Sequence, residues 1–165
     1  MEVSFELGAA VLAGLIAGVI MEGPVYIQKA LGLPVKQNIF RTWGQNLLRV
    51  PGAAGYAAGF LFHEVIAVLA AVVYALFFDL VGADGNLWLW GLIGALIHLS
   101  IAGPVVAIIP STDPETDIVG GQGLAYRKYG ALDVATSVVG HLGFGLSMAI
   151  FYGLLRTDGS SSLVF

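Results

Sequence analysis

Four long runs of apolar residues alternate with polar connections along the chain. A bilayer-crossing helix needs about 20 predominantly apolar residues at a rise of about 1.5 Å each. The runs extend from about Leu7 to Leu31, Gly52 to Phe78, Leu87 to Ile109 and Ala131 to Leu155. The first is interrupted by Glu22 and Pro24. The second and third are joined by a short connection, Asp79 to Asn86, which predicts antiparallel neighbours. The pattern predicts an all-α integral membrane four-helix bundle, a single membrane domain over residues 1–165.

Between the first two spans the pattern changes. From Val35 to Val50 the apolar residues Val35, Ile39, Phe40, Trp43, Leu47 and Val50 recur at helical spacing, with Lys36, Gln37, Arg41, Gln45, Asn46 and Arg49 between them. That pattern predicts an amphipathic helix lying in the membrane interface, anchored by Trp43. Covering a partner subunit is the competing use for such a face. The third connection, Pro110 to Gly130, is polar and glycine-rich and reads as an irregular loop with acidic and basic halves.

Composition sharpens the class. The chain is 58% hydrophobic and only 11% charged, against about a quarter charged in soluble domains. Its 23 glycines fit closely packed membrane helices. No basic tract points to nucleic acid. The absence of cysteine excludes disulfides, thiolate metal sites and iron–sulfur clusters. The N-terminus, Met1 to Glu6, lacks the positive region of a secretory signal, so the first run is expected to be a retained span. Lys29, Lys36, Arg41, Arg49, Arg127 and Lys128 fall in or beside the first and third connections, whereas Arg156 lies on the other side with Glu2, Glu6, Asp79, Asp84 and Asp158. The positive-inside rule therefore predicts both termini outside, in the cell membrane if the source is prokaryotic. Membrane lipid is the expected surrounding, with other membrane subunits or a second copy as further partners.

The two halves resemble each other. Gly14-Leu15-Ile16-Ala17-Gly18-Val19-Ile20 matches Gly91-Leu92-Ile93-Gly94-Ala95-Leu96-Ile97 at an offset of 77, and His63 with Tyr74 matches His141 with Tyr152 at an offset of 78. Ala57 and Ala135 share the second register. Gly23-Pro24-Val25 also echoes Gly103-Pro104-Val105, at an offset of 80. Nearly equal offsets in separate places predict two duplicated helical hairpins, related by an axis along the membrane normal.

Ionisable residues inside spans are costly and point to function. Here they are Glu22, His63, Glu64, His98 and His141, and all three histidines of the chain lie in spans. Counted from the basic end of each helix, Glu22, His63, His98 and His141 lie about 9 to 11 residues in, roughly 14–17 Å deep. Facing helices build histidine–carboxylate metal sites from such a common level. Imidazole and carboxylate suit a non-haem Fe, Cu, Zn or Mn ion, held by Glu22, His63, His98 and His141, with Glu64 behind them or carrying protons. A b-type haem or chlorin-like pigment on His63, His98 or His141 is the second expectation. Gly140, Gly143, Gly145, Gly94 and Ala95 would make room for a macrocycle. In the third reading, His and Glu simply hydrogen-bond across helices and specify packing. Tyr74, Tyr152, Trp88 and Trp90 fit an aromatic belt, and Asp133 suits the start of the fourth helix.

The function expected from these residues is a mid-membrane metal or haem centre in redox or electron-transfer chemistry, alone or in a larger assembly. The alternatives are a small transporter or ion or proton channel using the same polar layer, and a structural subunit of a membrane complex. Nothing in the motifs decides whether the chain is an enzyme.

Overall fold

A computed structural model describes residues 5–83, 85–111 and 120–157. Four long helices form an all-α bundle: α1 (Leu7–Ala30), α3 (Gly52–Leu80), α4 (Leu87–Ile108) and α5 (Ala131–Leu155). Each is long and apolar enough to cross a membrane. Their ends fall within two residues of those expected, because each run stops where glycine, proline or charge returns. The short helix α2 (Ile39–Arg41) runs into a π-helical turn, Thr42–Leu47, and a 3-10 turn spans Leu124–Tyr129. Thr112 to Val119, Glu2, Asp84 and Asp158 lie outside the described residues, and with them the acidic half of the third connection.

The chain divides into two compact units, and every long helix contributes a segment to each. The first unit comprises Met1–Met21, Glu64–His98 and His141–Phe165. Its core combines small residues (Ala10, Ala13, Ala17, Ala71, Ala75, Ala149) with large ones (Tyr74, Phe78, Leu87, Phe144, Met148, Tyr152). Lipid tails are as apolar as leucine, so helices associate here by close packing. A methyl group at Gly14 would lie 2.6 Å from Ala71 Cβ, and one at Gly91 would lie 2.7 Å from Ala149 Cβ. Likewise, a methyl at Gly18 would meet Ala67 Cβ at 2.8 Å, and one at Gly145 would meet Ala95 Cβ at 2.8 Å. Tyr74 and Tyr152, expected in an aromatic belt, are instead buried in this core. Tyr74 packs on Phe144 and Tyr152 on Phe78, with ring centroids 5.5 and 6.0 Å apart.

The second unit comprises Glu22–His63 and Leu99–Gly140. The segment expected to be an interfacial helix over 35–50 is helical only from Ile39, and it is packed into this unit. Val35, Gln37, Thr42, Trp43, Gly44 and Asn46 are buried. Trp43 lies on Phe62, centroids 5.5 Å apart, and so is not the interface anchor its spacing predicts. The reason is glycine: Gly44 abuts the Gly55 carbonyl and Gly59 abuts the Phe40 carbonyl, approaches that a side chain would block.

Candidate functional site

The second unit buries an unusual number of polar side chains for a candidate membrane segment: Glu22, Gln37, Thr42, Asn46, His63, Gln122, Asp133, Thr136 and Ser137. Asp133 is fully buried in the first turn of α5, where a carboxylate suits the helix dipole, and it also bonds across to the first connection. Its Oδ1 accepts hydrogen bonds from the backbone N–H groups of Lys36 (2.9 Å) and Gln37 (2.7 Å). Gln37 Nε2 donates in turn to the Asp133 carbonyl at 3.0 Å. An extended stretch of the first connection is thereby tied to the start of α5. Thr136 Oγ1 donates to Gln28 Oε1 at 2.9 Å, joining α5 to α1.

A second group gathers around Gln122. Its Oε1 accepts from the Thr42 hydroxyl at 3.1 Å and the Tyr129 hydroxyl at 3.3 Å. The Tyr129 hydroxyl is also 3.0 Å from the half-buried Ser111 hydroxyl. Nearby, Ala125 and Tyr126 are consecutive left-handed residues, with φ/ψ of 48°/43° and 64°/22°. Two such residues cost roughly 1–3 kcal/mol each and cluster at functional sites. The turn buries the Tyr126 ring between Val106 and Tyr129. Burial pushes the Tyr126 phenol above its ordinary range, the Thr42 hydroxyl pulls it back, and the charges of Glu22 and Asp133 push it further up.

The ionisable groups singled out by the sequence form pairs. In the second unit, His63 Nε2 lies 3.5 Å from Glu22 Oε1, joining α3 to α1. Phe40 closes over His63, ring centroids 5.7 Å apart, and stacks on Tyr26 at 5.9 Å. In the first unit, His98 of α4 and His141 of α5 meet edge to face, centroids 5.0 Å apart. Phe144 flanks His98 at 5.4 Å and Tyr74 at 6.1 Å. Glu64, also buried, lies against Gly18 of α1. Among the described residues no three of His, Asp and Glu come together closely enough to hold one metal ion. The small residues expected to leave room for a macrocycle are in use: Gly145 abuts the Gly91 backbone, and Tyr74 lies across Gly94.

Phe40, Thr42, Gln122 and Tyr126 were not singled out from the sequence. Phe40 and Gln122 stood in segments already marked as helical and glycine-rich, but only the fold reveals which of their side chains are buried. The left-handed pair has no sequence signal, since neither alanine nor tyrosine favours that conformation. No family model, no curated protein and no solved structure matches this chain.

Proposed function

We propose that this is a small membrane protein that binds and passes protons within its spans, with Glu22 and His63 as the exchanging pair. The observation behind this reading is the 3.5 Å approach of a buried imidazole to a buried carboxylate, inside two helices long and apolar enough to cross a membrane. Ionisable groups are expensive there and mark ion or proton pathways. A carboxylate and an imidazole in contact can pass a proton between them while their combined charge stays constant, which avoids an uncompensated buried ion. A pair suffices for this exchange, and no third donor is needed. Both termini outside, from the distribution of basic residues, belongs to the same proposal.

The duplicated hairpin also belongs to it. Gly14 on Ala71 and Gly91 on Ala149 are matching contacts at offsets of 77 and 78, as are Gly18 on Ala67 and Ala95 on Gly145. His141 corresponds to His63 in that register, so each hairpin carries one histidine facing its preceding helix.

The test is proton flux into liposomes holding the purified protein and a trapped pH dye, driven by a potassium diffusion potential. Glu22→Gln and His63→Phe should each slow flux about tenfold or more. Flux no faster than in empty liposomes would refute the reading and favour a structural subunit. A second reading, a metal or b-type haem centre in electron transfer, is favoured by one observation. The 5.0 Å between the His98 and His141 rings suits two imidazoles meeting at one ion, each nitrogen about 2.0–2.1 Å from it. Stoichiometric metal or a Soret band, lost in His98→Ala and His141→Ala, would support it.

A further inference from the structure

Independently of any proton passage, we propose that the first and third connections together form a docking surface for anionic phospholipid. Its cations meet the phosphate headgroups and its leucines the acyl region below them. Six of the chain's seven lysines and arginines lie in or beside these two connections. Lys36, Arg49, Arg127 and Lys128 are exposed, and Lys29 and Arg41 are partly so. Among the described residues, the acidic side chains of this unit are Glu22 and Asp133, and both are buried. The charge that these residues present outward is therefore positive.

A basic connection alone would set orientation and no more. Here the fold joins two of them. Asp133 Oδ1 holds the Lys36 N–H at the start of α5, Gln122 accepts from the Thr42 hydroxyl, and Ile39 packs against Val106, Tyr126 and Tyr129. Cations far apart in the chain thus belong to one end of one packed unit.

Backbone strain falls at the same places. Four described non-glycine residues have positive φ, and three of them, Arg49 (φ 60°), Ala125 and Tyr126, border this surface. Glycine would adopt the Arg49 conformation with less strain, and helices commonly end on it. An arginine there points to a use for its charge. The Ala125–Tyr126 turn sinks the Tyr126 and Tyr129 rings and leaves Leu124, Arg127 and Lys128 outside. Large apolar side chains complete the match. Leu31, Leu33, Leu47, Leu48 and Leu124 lie beyond the ends of the four spans, and each is at least 41% exposed. Leucines among cations suit the boundary between headgroups and acyl chains. Charge and leucine together select an anionic amphiphile over a free anion.

The test is native mass spectrometry of the full-length protein in detergent, titrated with phosphatidylglycerol or with phosphatidylcholine of the same acyl chains. The wild type should retain phosphatidylglycerol about tenfold or more tightly. Arg49→Gly suits the local backbone, so this variant should fold at least as well as the wild type. It should still lose about fivefold in affinity for phosphatidylglycerol, the worth of one cation near an anionic surface. Adding Lys36→Gln and Arg127→Gln should erase the preference. Equal retention of both lipids by the wild type would overturn the proposal, the result expected if Asp113, Glu115 and Asp117 neutralised the surface. An undiminished preference in the triple variant would overturn it as well. Displacement of the lipid by inorganic phosphate at equal concentration would make this a free-anion site instead. A dimer without lipid preference, lost in the triple variant, would make it an interface between copies.

Discussion

The same four helices are held together in two different ways. In the first unit the apolar core combines alanine with large aromatic and aliphatic side chains, and helices approach until backbone meets backbone, as at Gly91 and Gly145. In the second unit the buried surface includes nine polar side chains, with Asp133, Gln122, Thr42 and Gln37 bonding between segments distant in sequence. Close packing needs no directionality but tolerates no added volume. A polar network tolerates some change of volume but not the loss of an acceptor. The difference teaches where each unit is vulnerable. It also explains why irregular backbone, which must have its N–H and C=O groups satisfied locally in a membrane, is concentrated in the second unit.

The most damaging change should therefore be one of volume in the first unit. Gly145→Leu drives a side chain into the Gly91 backbone, which cannot move without displacing α4. Overpacking of this kind costs about 1–3 kcal/mol when side chains can yield, and more when the obstacle is backbone. The expected outcome is loss of the monodisperse protein in detergent, or a destabilisation above about 3 kcal/mol. Gly143, in the same helix, has nothing within 4 Å of a prospective methyl group. Gly143→Leu should therefore be close to neutral in the same unfolding assay, and equal effects at the two positions would break the comparison.

The matching test in the second unit removes an acceptor without adding volume. Asp133→Ala leaves the buried Gln37 N–H and the part-buried Lys36 N–H without their acceptor, at about 1–3 kcal/mol for a buried group and less for the other. The expected total is roughly 2–4 kcal/mol. Asp133→Asn keeps an oxygen that can accept from both and should cost about 1 kcal/mol, the loss of charge assistance alone. A result in which Asn is as harmful as Ala would mean that the charge, not the acceptor, holds the connection.

The two regions were not equally legible in the sequence. The spans were, because twenty apolar residues between polar connections have few structural options in a membrane. The small-residue contacts of the first unit were also foreshadowed, since Gly14 and Gly91 stood in matching motifs. The ionisable residues were identified one by one, but their pairing was not. Depth along a helix follows from counting residues, whereas azimuth depends on how helices rotate against one another. Hence Glu22 meets His63, and His98 meets His141, where one cluster of four was expected. The first connection is less legible for a related reason. The apolar spacing of Val35, Ile39 and Trp43 describes a face, and the same face serves lipid or protein. What decides between them is the Gly44–Gly55–Gly59 approach, which exists only once the segments are folded together.

The smallest expected effect sets apart two tyrosines of the same core. Tyr74 and Tyr152 are both buried in the first unit. The Tyr152 hydroxyl accepts the Glu6 backbone N–H at 3.0 Å, tying the start of the described chain to the end of α5. The Tyr74 hydroxyl has no hydrogen-bond partner among the described residues. Replacing Tyr152 by Phe removes an acceptor and should cost about 1 kcal/mol. Replacing Tyr74 by Phe removes only an unbonded hydroxyl and should be neutral or stabilising by a few tenths of a kcal/mol. The two variants, measured side by side by thermal unfolding in one detergent, change the same atom in the same core, so volume and propensity cancel between them. A loss at Tyr74 as large as that at Tyr152 would mean that the buried Tyr74 hydroxyl, too, makes a contact that stabilises the first unit.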